Sequence, residues 1–417
     1  MKLTILVLCT AVYTSAVKRQ IVTRIGSPII QTDTEFLPDH TQLLEEYRNA
    51  LHNFTIKIYK RAAFRGNYHF VISPHSLWMT LAGVAEGTDL QTQSELFELL
   101  SLPADPYLRK LYYDIAATRF SHTNDVRIVS TRALVIDEGV QPNPHWHHFV
   151  SKHHLLSVVS APIRQNSILA ANAIRQIVAA NFPALNLHSL YSGNSVLLDT
   201  LDYNGLWTTA FADAVVRRAP FYDRSGNQVG SVDLMRVKRQ GKIGYVKSIQ
   251  AKVLELPIGI NGQFSMVIAL VTGDLHLAPA VKAFQGSIMI DVIESMKESK
   301  VPIDVAIPQF RMNTELDARI ILQDLNITRL WTDPEATRYI SDPPALPSSY
   351  VQRSTVTLAK DGVFHPPPTL LRSYYPEPED QYWSEFIANR PFMFGLFDTE
   401  TYTCLMGVMY TQPTYPV

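Results

Sequence analysis

The sequence predicts an α+β fold in which helices pack against large β-sheets. Apolar residues repeat at helical spacing in the first part of the chain. The second half instead contains short apolar segments that are rich in β-branched residues. Because helical and strand segments do not alternate regularly, a parallel βαβ fold is not expected, and helices packed on extended sheets are.

Helices are predicted near the start of the chain. The first begins near Asp39, with Gln42 placed for a capping box. Its buried face carries Leu44, Tyr47, Leu51, Phe54 and Ile58. The second opens at Ser73-Pro74, because a proline in the first turn loses no helical hydrogen bond. A short third helix covers Ser94–Leu100.

Strands are predicted in the second half, where apolar runs are too short for helices of ordinary length. They cover Val253–Ile258, Gln263–Val271, Val301–Phe310, Pro391–Phe397 and Thr403–Tyr410.

The composition is that of a well-packed globular chain. It has 417 residues, 46% of them hydrophobic, with a net charge of −1, so it predicts a large core and no nucleic-acid binding. Residues 1–16 resemble a secretory signal peptide, with Lys2 before an apolar run and Ala16 at a cleavage point. No later apolar run approaches bilayer length, so no membrane association is expected.

A secreted chain directs attention to its cysteines and glycosylation acceptors. Removal of residues 1–16 would remove Cys9, which leaves Cys404 without an intramolecular disulfide partner. Cys404 lies in an apolar segment and is expected to be buried and unreactive. The N-x-[ST] pattern marks Asn53 and Asn326 as candidate glycosylation sites.

No recognised catalytic motif is present: the sequence lacks G-x-S-x-G, H-E-x-x-H, a phosphate-binding glycine loop and C-x-x-C. An enzyme is therefore not expected. One histidine cluster has the side-chain chemistry of a metal site, but neither a carboxylate nor a thiol joins it in a known pattern, so a solvated helix surface is favoured and no metal or cofactor is expected. The cluster consists of His145, His147, His148, His153 and His154.

Several stretches, in the family's order, together resemble the serpin family. They are Asn67–Leu96, Val196–Trp207, Ala251–Val271, Ile307–Trp331 and Asn389–Pro413. The resemblance implies a serpin fold with three β-sheets, about nine helices and an exposed reactive-centre loop. It places a serpin domain at 41–417, after the signal peptide and a flexible N-terminal extension at 17–40. It also predicts that Trp207, Phe310 and Pro391 are buried near sheet junctions.

Inhibitory serpins are suicide substrates: a protease cuts the loop, which then inserts into the main sheet as a new strand. By resemblance, Gly362 is the hinge glycine of that loop. Lys360 stands where inhibitory members usually carry glutamate. Where they carry threonine and then small residues, this chain has Val363, Phe364, His365, Pro366, Pro367 and Pro368.

This loop sequence is poorly suited to insertion. An inserted strand points alternate side chains into a packed interior, where an oversized residue costs about 1–3 kcal/mol. Proline lacks an N–H and fixes φ, so it does not belong in a central strand, and three in succession favour a polyproline segment. We therefore expect the loop to be exposed and to stay exposed.

The resemblance also identifies the polar region that controls opening of the main sheet in inhibitory members. Ser73 and Ser76 match the family. Asp199 replaces a common asparagine and Gln352 a common histidine. These changes indicate either relaxed selection or a compensated pair, since Asp199 and Gln352 could hydrogen-bond to each other.

The candidate scissile bond is Arg372-Ser373, which has the residues of a trypsin-type site. It lies closer to Gly362 than the family spacing predicts, and counting from the two ends of the loop gives Pro376 or Asp380 instead.

The sequence therefore predicts a secreted, monomeric, non-inhibitory serpin of the extracellular space with a binding, carrier or decoy role. Its partner would be an extracellular protease or an unidentified ligand. The alternative is an inhibitor of serine or cysteine proteases that presents Arg372 as a trypsin-like bait. An enzyme is the weakest of the three hypotheses.

Overall fold

The computed structural model describes residues 39–119, 125–164, 169–170, 172–174, 193–209, 211, 214–223, 225–272, 277–285, 287–364 and 384–414. Nearly all of them belong to one compact unit, Thr41–Val417. The predicted signal peptide and almost all of the predicted extension lie outside the described residues.

Nine α-helices have both ends within the described residues, and the three helices predicted from the sequence are among them. They are α1 (His40–Arg65), α2 (Pro74–Ala85), α3 (Leu90–Leu100), α4 (Pro106–Thr118), α5 (Pro144–Lys152), α6 (Leu277–Lys282), α7 (Ile288–Ser295), α8 (Ala318–Gln323) and α9 (Arg329–Thr332). Ser73 caps α2, since its hydroxyl accepts a hydrogen bond from the Ser76 N–H, and Asp89 caps α3 through the Thr92 N–H. No helix within the described ranges is long and apolar enough to cross a membrane.

The strands include all five that were predicted from the second half of the sequence. In chain order they are β1 (Phe70–Ile72), β2 (Val126–Asp137), β3 (Gln141–Pro142), β4 (Ser157–Ala161), β5 (Ser195–Leu206), β6 (Val215–Tyr222), β7 (Gln228–Arg239), β8 (Lys242–Val246), β9 (Ala251–Ile258), β10 (Phe264–Val271), β11 (Lys297–Glu298), β12 (Ile303–Asp317), β13 (Ser341–Asp342), β14 (Pro347–Ala359), β15 (Gly362–Phe364), β16 (Ser384–Ile387), β17 (Phe392–Asp398) and β18 (Cys404–Tyr410).

These strands build three sheets and a two-stranded ribbon, β3–β13. The main sheet has the order β4-β2-β5-β14-β12, with β15 between β5 and β14 at one end. Strand β12 belongs to two sheets. Its second half pairs with β14 in the main sheet, and its first half pairs with β7 and β16 in the second sheet. The third sheet has the order β1-β18-β17-β10-β9-β8-β11.

The apolar core has two large parts. One lies among α1, α2 and the neighbouring helices, and every residue of α2 is buried. The other lies where the sheets meet and contains Trp207, Phe310 and Tyr410, with the last two rings stacked at a centroid distance of 4.3 Å. The predicted burial of Trp207 and Phe310 is confirmed.

Two expectations need correction. Pro391 is only partly buried, because it precedes β17 at the edge of a surface groove that it shares with Pro413. Long strands also occur early in the chain: β2 was missed because its residues Arg127, Ser130 and Arg132 interrupt the apolar pattern.

Candidate functional site: the hinge strand and the polar network of the main sheet

The segment after the hinge glycine is a strand of the main sheet. Strand β14 ends at Ala359, the chain turns at Lys360 and Asp361, and β15 runs back antiparallel to β14. On its other side, Gly362 pairs with Leu206 of β5. The expectation of a fully exposed loop is therefore wrong for β15.

Two residues explain how β15 fits. A Cβ on Gly362 would lie 2.0 Å from the carbonyl oxygen of Gly205, so only glycine allows the backbones to approach this closely. Val363 is fully buried in the apolar cluster that also contains Trp207 and Leu358. Val363 stands where inhibitory members usually carry threonine, and it faces the core between the sheets, where a β-branched side chain packs well.

The remaining predicted loop residues lie outside the described residues. They are His365, Pro366, Pro367, Pro368, Arg372 and Ser373, and the Phe364 side chain is likewise not described.

Trp207 holds the hinge turn. Its indole N–H donates to the Ala359 carbonyl at 3.0 Å, and its backbone N–H donates to the Asp361 carbonyl at 3.1 Å. The Phe211 backbone N–H donates to the Lys360 carbonyl at 3.0 Å. The turn is thus fixed through backbone carbonyls, which explains why glutamate is not needed at position 360 for this geometry.

Below β15, strands β5 and β14 pair directly and in parallel, from Asp202 and Thr355 down to Ser195 and Pro347. We call this stretch the seam. Any further strand inserted between β5 and β14 must separate it.

Asp199 and Gln352 are register partners in the middle of the seam. The Gln352 amide Nε2 donates to Asp199 Oδ2 at 3.2 Å, which confirms the predicted hydrogen bond. Asp199 also accepts hydrogen bonds from the Ser76 hydroxyl and, at 3.3 Å, from the Tyr350 hydroxyl. The carboxylate therefore joins helix α2 to both strands of the seam.

Gln352 in turn binds the backbone of Ser73. The Ser73 N–H donates to Gln352 Oε1 and Gln352 Nε2 donates to the Ser73 carbonyl, both at 2.9 Å. The Ser73 hydroxyl donates to the Leu405 carbonyl at 2.7 Å, which ties the start of α2 to β18. The predicted sheet-opening residues Ser73, Ser76, Asp199 and Gln352 are thus brought together, and Trp207 lies apart from them at the hinge.

The network is dry. Asp199 is fully buried, and this burial raises the pKa of its carboxyl to about 7. Arg132 is its cross-strand neighbour on β2, and burial lowers the pKa of the Arg132 guanidinium. Arg132 donates to the Ser130 hydroxyl and to the carbonyls of Leu155 and His154 at 2.8–2.9 Å.

Three further members of this network were not predicted from the sequence: Tyr350, Ser130 and Arg132. Tyr350 was recognisable, because residues two apart in a strand share a face and Tyr350 lies two residues before Gln352. Ser130 and Arg132 become recognisable only once the register of β2 against β5 is known.

The histidine cluster divides into exposed and buried members. His145 and His148 are exposed on α5, whereas His153 is buried and its Nδ1 lies 2.9 Å from the Asp114 carboxylate. No group of three or more metal-ligating side chains converges among the described residues. His153 therefore departs from the expected solvated surface.

The two candidate glycosylation sites differ in setting. Asn326 is exposed in the turn between α8 and α9, with Thr328 also exposed. Asn53 is exposed on α1, but Thr55, two residues further along the same helix, is buried.

The predicted burial of Cys404 is confirmed, and burial raises the pKa of its thiol to about 12. Cys404 borders a cavity of about 80 Å³ between α1, α7 and the third sheet. The cavity wall is almost entirely apolar and includes Tyr59, Phe284, Met289 and Met393.

This architecture is that of a serpin: a short hinge strand lies in the main sheet, and below it buried polar side chains join the two strands of the seam. The family profile described as "Serpin (serine protease inhibitor)" matches residues 49–413. This chain belongs to the serpin family. Its members include protease inhibitors and non-inhibitory proteins.

Its relatives are distant. A serpin-like protein of Thermococcus kodakarensis is 25% identical over 87% of this chain and 84% of its own length. Antichymotrypsin-2 of Bombyx mori is 20% identical over 85% of this chain and 96% of its own length.

Solved structures share the fold at still lower identity. Serpin-12 of Manduca sexta is 17% identical, with a TM-score of 0.74 over 88% of this chain and 99% of its own. Human thyroxine-binding globulin is 14% identical, with a TM-score of 0.76 over 89% of this chain and 100% of its own.

Proposed function

We propose that this protein is a secreted, extracellular serpin that does not trap proteases and that acts as a binding, carrier or decoy protein. The observation that carries this proposal is the position of β15. The hinge strand occupies the top of the main sheet, and the closed seam begins below it at Asp202 and Thr355. In the sequence, His365 and then the proline run follow the hinge strand.

The pairing register of β15 with β14 shows which residues would meet if the loop inserted further. Residues 362, 363 and 364 pair with 359, 358 and 357 of β14. Continuing that register would place Pro366, Pro367 and Pro368 opposite Thr355, Ser354 and Arg353, listed in the same order. These three β14 residues now pair with Asp202, Leu201 and Thr200 of β5.

Insertion would therefore replace the complete hydrogen-bond ladder between β5 and β14 with a ladder that contains three prolines. Each proline forfeits a ladder bond worth about 1 kcal/mol and leaves a buried carbonyl unpaired at about 1–3 kcal/mol. Together the penalties reach roughly 5–10 kcal/mol, although they are not strictly additive. A cost of this size is comparable to the net stability of a whole domain and would offset the gain from a new strand.

The test is to cleave the loop with trypsin, confirm the cut by mass spectrometry and compare thermal unfolding before and after cleavage. We expect the melting temperature to stay almost unchanged and no detergent-resistant complex to form with a panel of proteases. In the control variant, residues Phe364 through Pro368 are all replaced by alanine, and cleavage should raise the melting temperature by tens of degrees. A covalent complex, or a large rise in the unmodified protein, would contradict the proposal.

The alternative role is inhibition with Arg372 as the trypsin-like bait residue. One observation favours it: the sheet accepts the buried Val363, so it does not admit small residues alone. If this role is correct, Arg372→Ala should abolish complex formation with a trypsin-like protease, and Ser373→Ala should leave it intact.

A carrier role is supported by the apolar cavity beside Cys404, whose volume of about 80 Å³ suits a small apolar group rather than a whole drug-sized ligand. One protein with this fold, thyroxine-binding globulin, is named for the ligand that it binds. Binding of an environment-sensitive apolar dye tests this role. Val292→Trp should fill the cavity and abolish binding, whereas the exposed Tyr245→Trp should not affect it.

A further inference from the structure

We propose that Asp199 is a proton-controlled latch that keeps the seam between β5 and β14 closed when it is protonated and loosens the seam when it is ionised. This inference goes beyond the proposed function and does not depend on it, because it concerns opening of the sheet whether or not a loop inserts.

The first argument is position. Asp199 is fully buried at the middle of the seam, and its carboxyl group contacts α2 through Ser76 and β14 through Tyr350 and Gln352. Separation of β5 from β14 must break the contacts with β14 and admit water to the carboxyl group. Opening of the seam and hydration of Asp199 are therefore the same event.

The second argument is that the neutral acid is fully hydrogen-bonded in the closed seam. The backbone of Ser73 fixes the Gln352 amide so that its second N–H faces Asp199 Oδ2, which must accept in either protonation state. A proton on Oδ1 can instead be donated to the Ser76 hydroxyl oxygen. The Ser76 hydroxyl then turns to donate to Ser130 Oγ, 3.1 Å away.

The closed seam therefore accommodates both protonation states with hydrogen bonds, and the two states differ chiefly in the cost of a charge in a buried site. That cost appears as the raised pKa of Asp199, about 7 against an ordinary value of 3.8. A hydrated carboxyl in the opened seam would titrate near the ordinary value. The resulting stabilisation of the closed seam is fully present below about pH 3.8, declines as the pH rises and is lost above about pH 7.

The other ionisable groups around Asp199 do not account for this window. On β2, Arg132 stays charged, and on β14 burial and the Asp199 charge raise the pKa of Tyr350 well above its usual range, so it stays neutral. On α2, burial lowers the pKa of His75 well below 6.5, and its Nε2 lies 3.2 Å from the Tyr47 hydroxyl of α1. Asp202 and Arg353 occupy the opposite face of the seam strands.

Hydrogen exchange of the full-length protein tests the latch, measured under conditions where protection reports the opening equilibrium and corrected for the intrinsic pH dependence of exchange. Between pH 5 and pH 8, protection of the seam amides at 197–202 and 350–355 should fall about a hundredfold. Amides of β9 and β10 in the third sheet should show no such change.

Asp199→Asn should abolish the pH dependence and keep the seam protected at pH 8, because an asparagine amide can donate to Ser76 as the neutral acid does. Asp202→Asn on the same strand and His75→Asn are the matched controls, and both should retain the dependence. The latch is overturned if the unmodified seam shows constant protection, if Asp199→Asn keeps the slope, or if β9 and β10 share it. Should Asp199→Asn fail to fold, a titration of carboxyl-labelled aspartates decides, since the latch requires one carboxyl that titrates near pH 7.

Discussion

Replacing Gly362 with alanine should expel the hinge strand from the main sheet. The added Cβ would lie 2.0 Å from the Gly205 carbonyl oxygen and 3.0 Å from the Leu206 Cα. Both of these atoms belong to the backbone of β5, so no side-chain rotation can relieve the overlap. The least costly response is for β15 to leave its place between β5 and β14.

The magnitude follows from what β15 contributes. Val363 is fully buried, and exposing a side chain of this kind costs about 2 kcal/mol. The ladder bonds of β15 add about 1 kcal/mol each, partly recovered as the freed groups meet water. We expect a loss of about 2–4 kcal/mol, which lowers the melting temperature of a chain this long by about 3–5 °C.

Thermal unfolding measures the loss, and hydrogen exchange of the amides at 362–364 locates it. The control is Gly241→Ala, because the nearest atom to its added Cβ is the Glu255 carbonyl oxygen at 3.7 Å, an ordinary contact. Gly241→Ala should melt within about 1 °C of the unmodified protein. If Gly362→Ala melts like the unmodified protein and its hinge amides stay protected, the hinge strand does not occupy the sheet.

Three further predictions concern other parts of the chain. Trp207→Phe should lower the unfolding free energy by about 1–3 kcal/mol and speed proteolysis of the hinge turn, because the Ala359 carbonyl loses its buried donor; an unchanged proteolysis rate would contradict this. Native Cys404 should react slowly with a thiol reagent at pH 8, since burial raises its pKa to about 12, and should react fully once the protein is denatured. Secreted protein should begin near Val17 by mass spectrometry, with glycan at Asn326, at Asn53 or at both; an intact Met1 would exclude the signal peptide.

The sequence predicted those parts of the fold in which local pattern and packing agree. Helix α2 is one example, since its Ser73 cap, its first-turn proline and its apolar residues all indicate the same element. Strand β2 was missed because Arg132 looks like a surface residue, whereas it is only partly exposed and its guanidinium binds backbone carbonyls and Ser130. A charged residue in a buried strand thus reflects a polar network that the pattern of a single strand does not show.

The position of the hinge strand could not be read from residue size. Val363 stands where inhibitory relatives carry threonine, but the whole segment after Gly362 was expected to stay exposed because of the larger residues and prolines that follow. The structure buries Val363 because the space between β5 and β14 opens at that point toward the apolar cluster that contains Trp207 and Leu358. Whether a side chain fits at a position depends on the residues that surround it in the fold, and several of these residues are distant in sequence.

The two departures from the family pattern, in the seam and in the loop, have different consequences. Gln352 binds both backbone groups of Ser73 and still has an N–H directed at Asp199, and the Asp199 carboxylate can accept every bond offered to it. The changed pair is therefore compensated, and the seam keeps a complete set of hydrogen bonds. The proline run has no such compensation, because no partner residue can replace a missing backbone N–H. The proposed loss of trapping is therefore assigned to the loop, and alanines at residues 364–368 should restore insertion without any change to the seam.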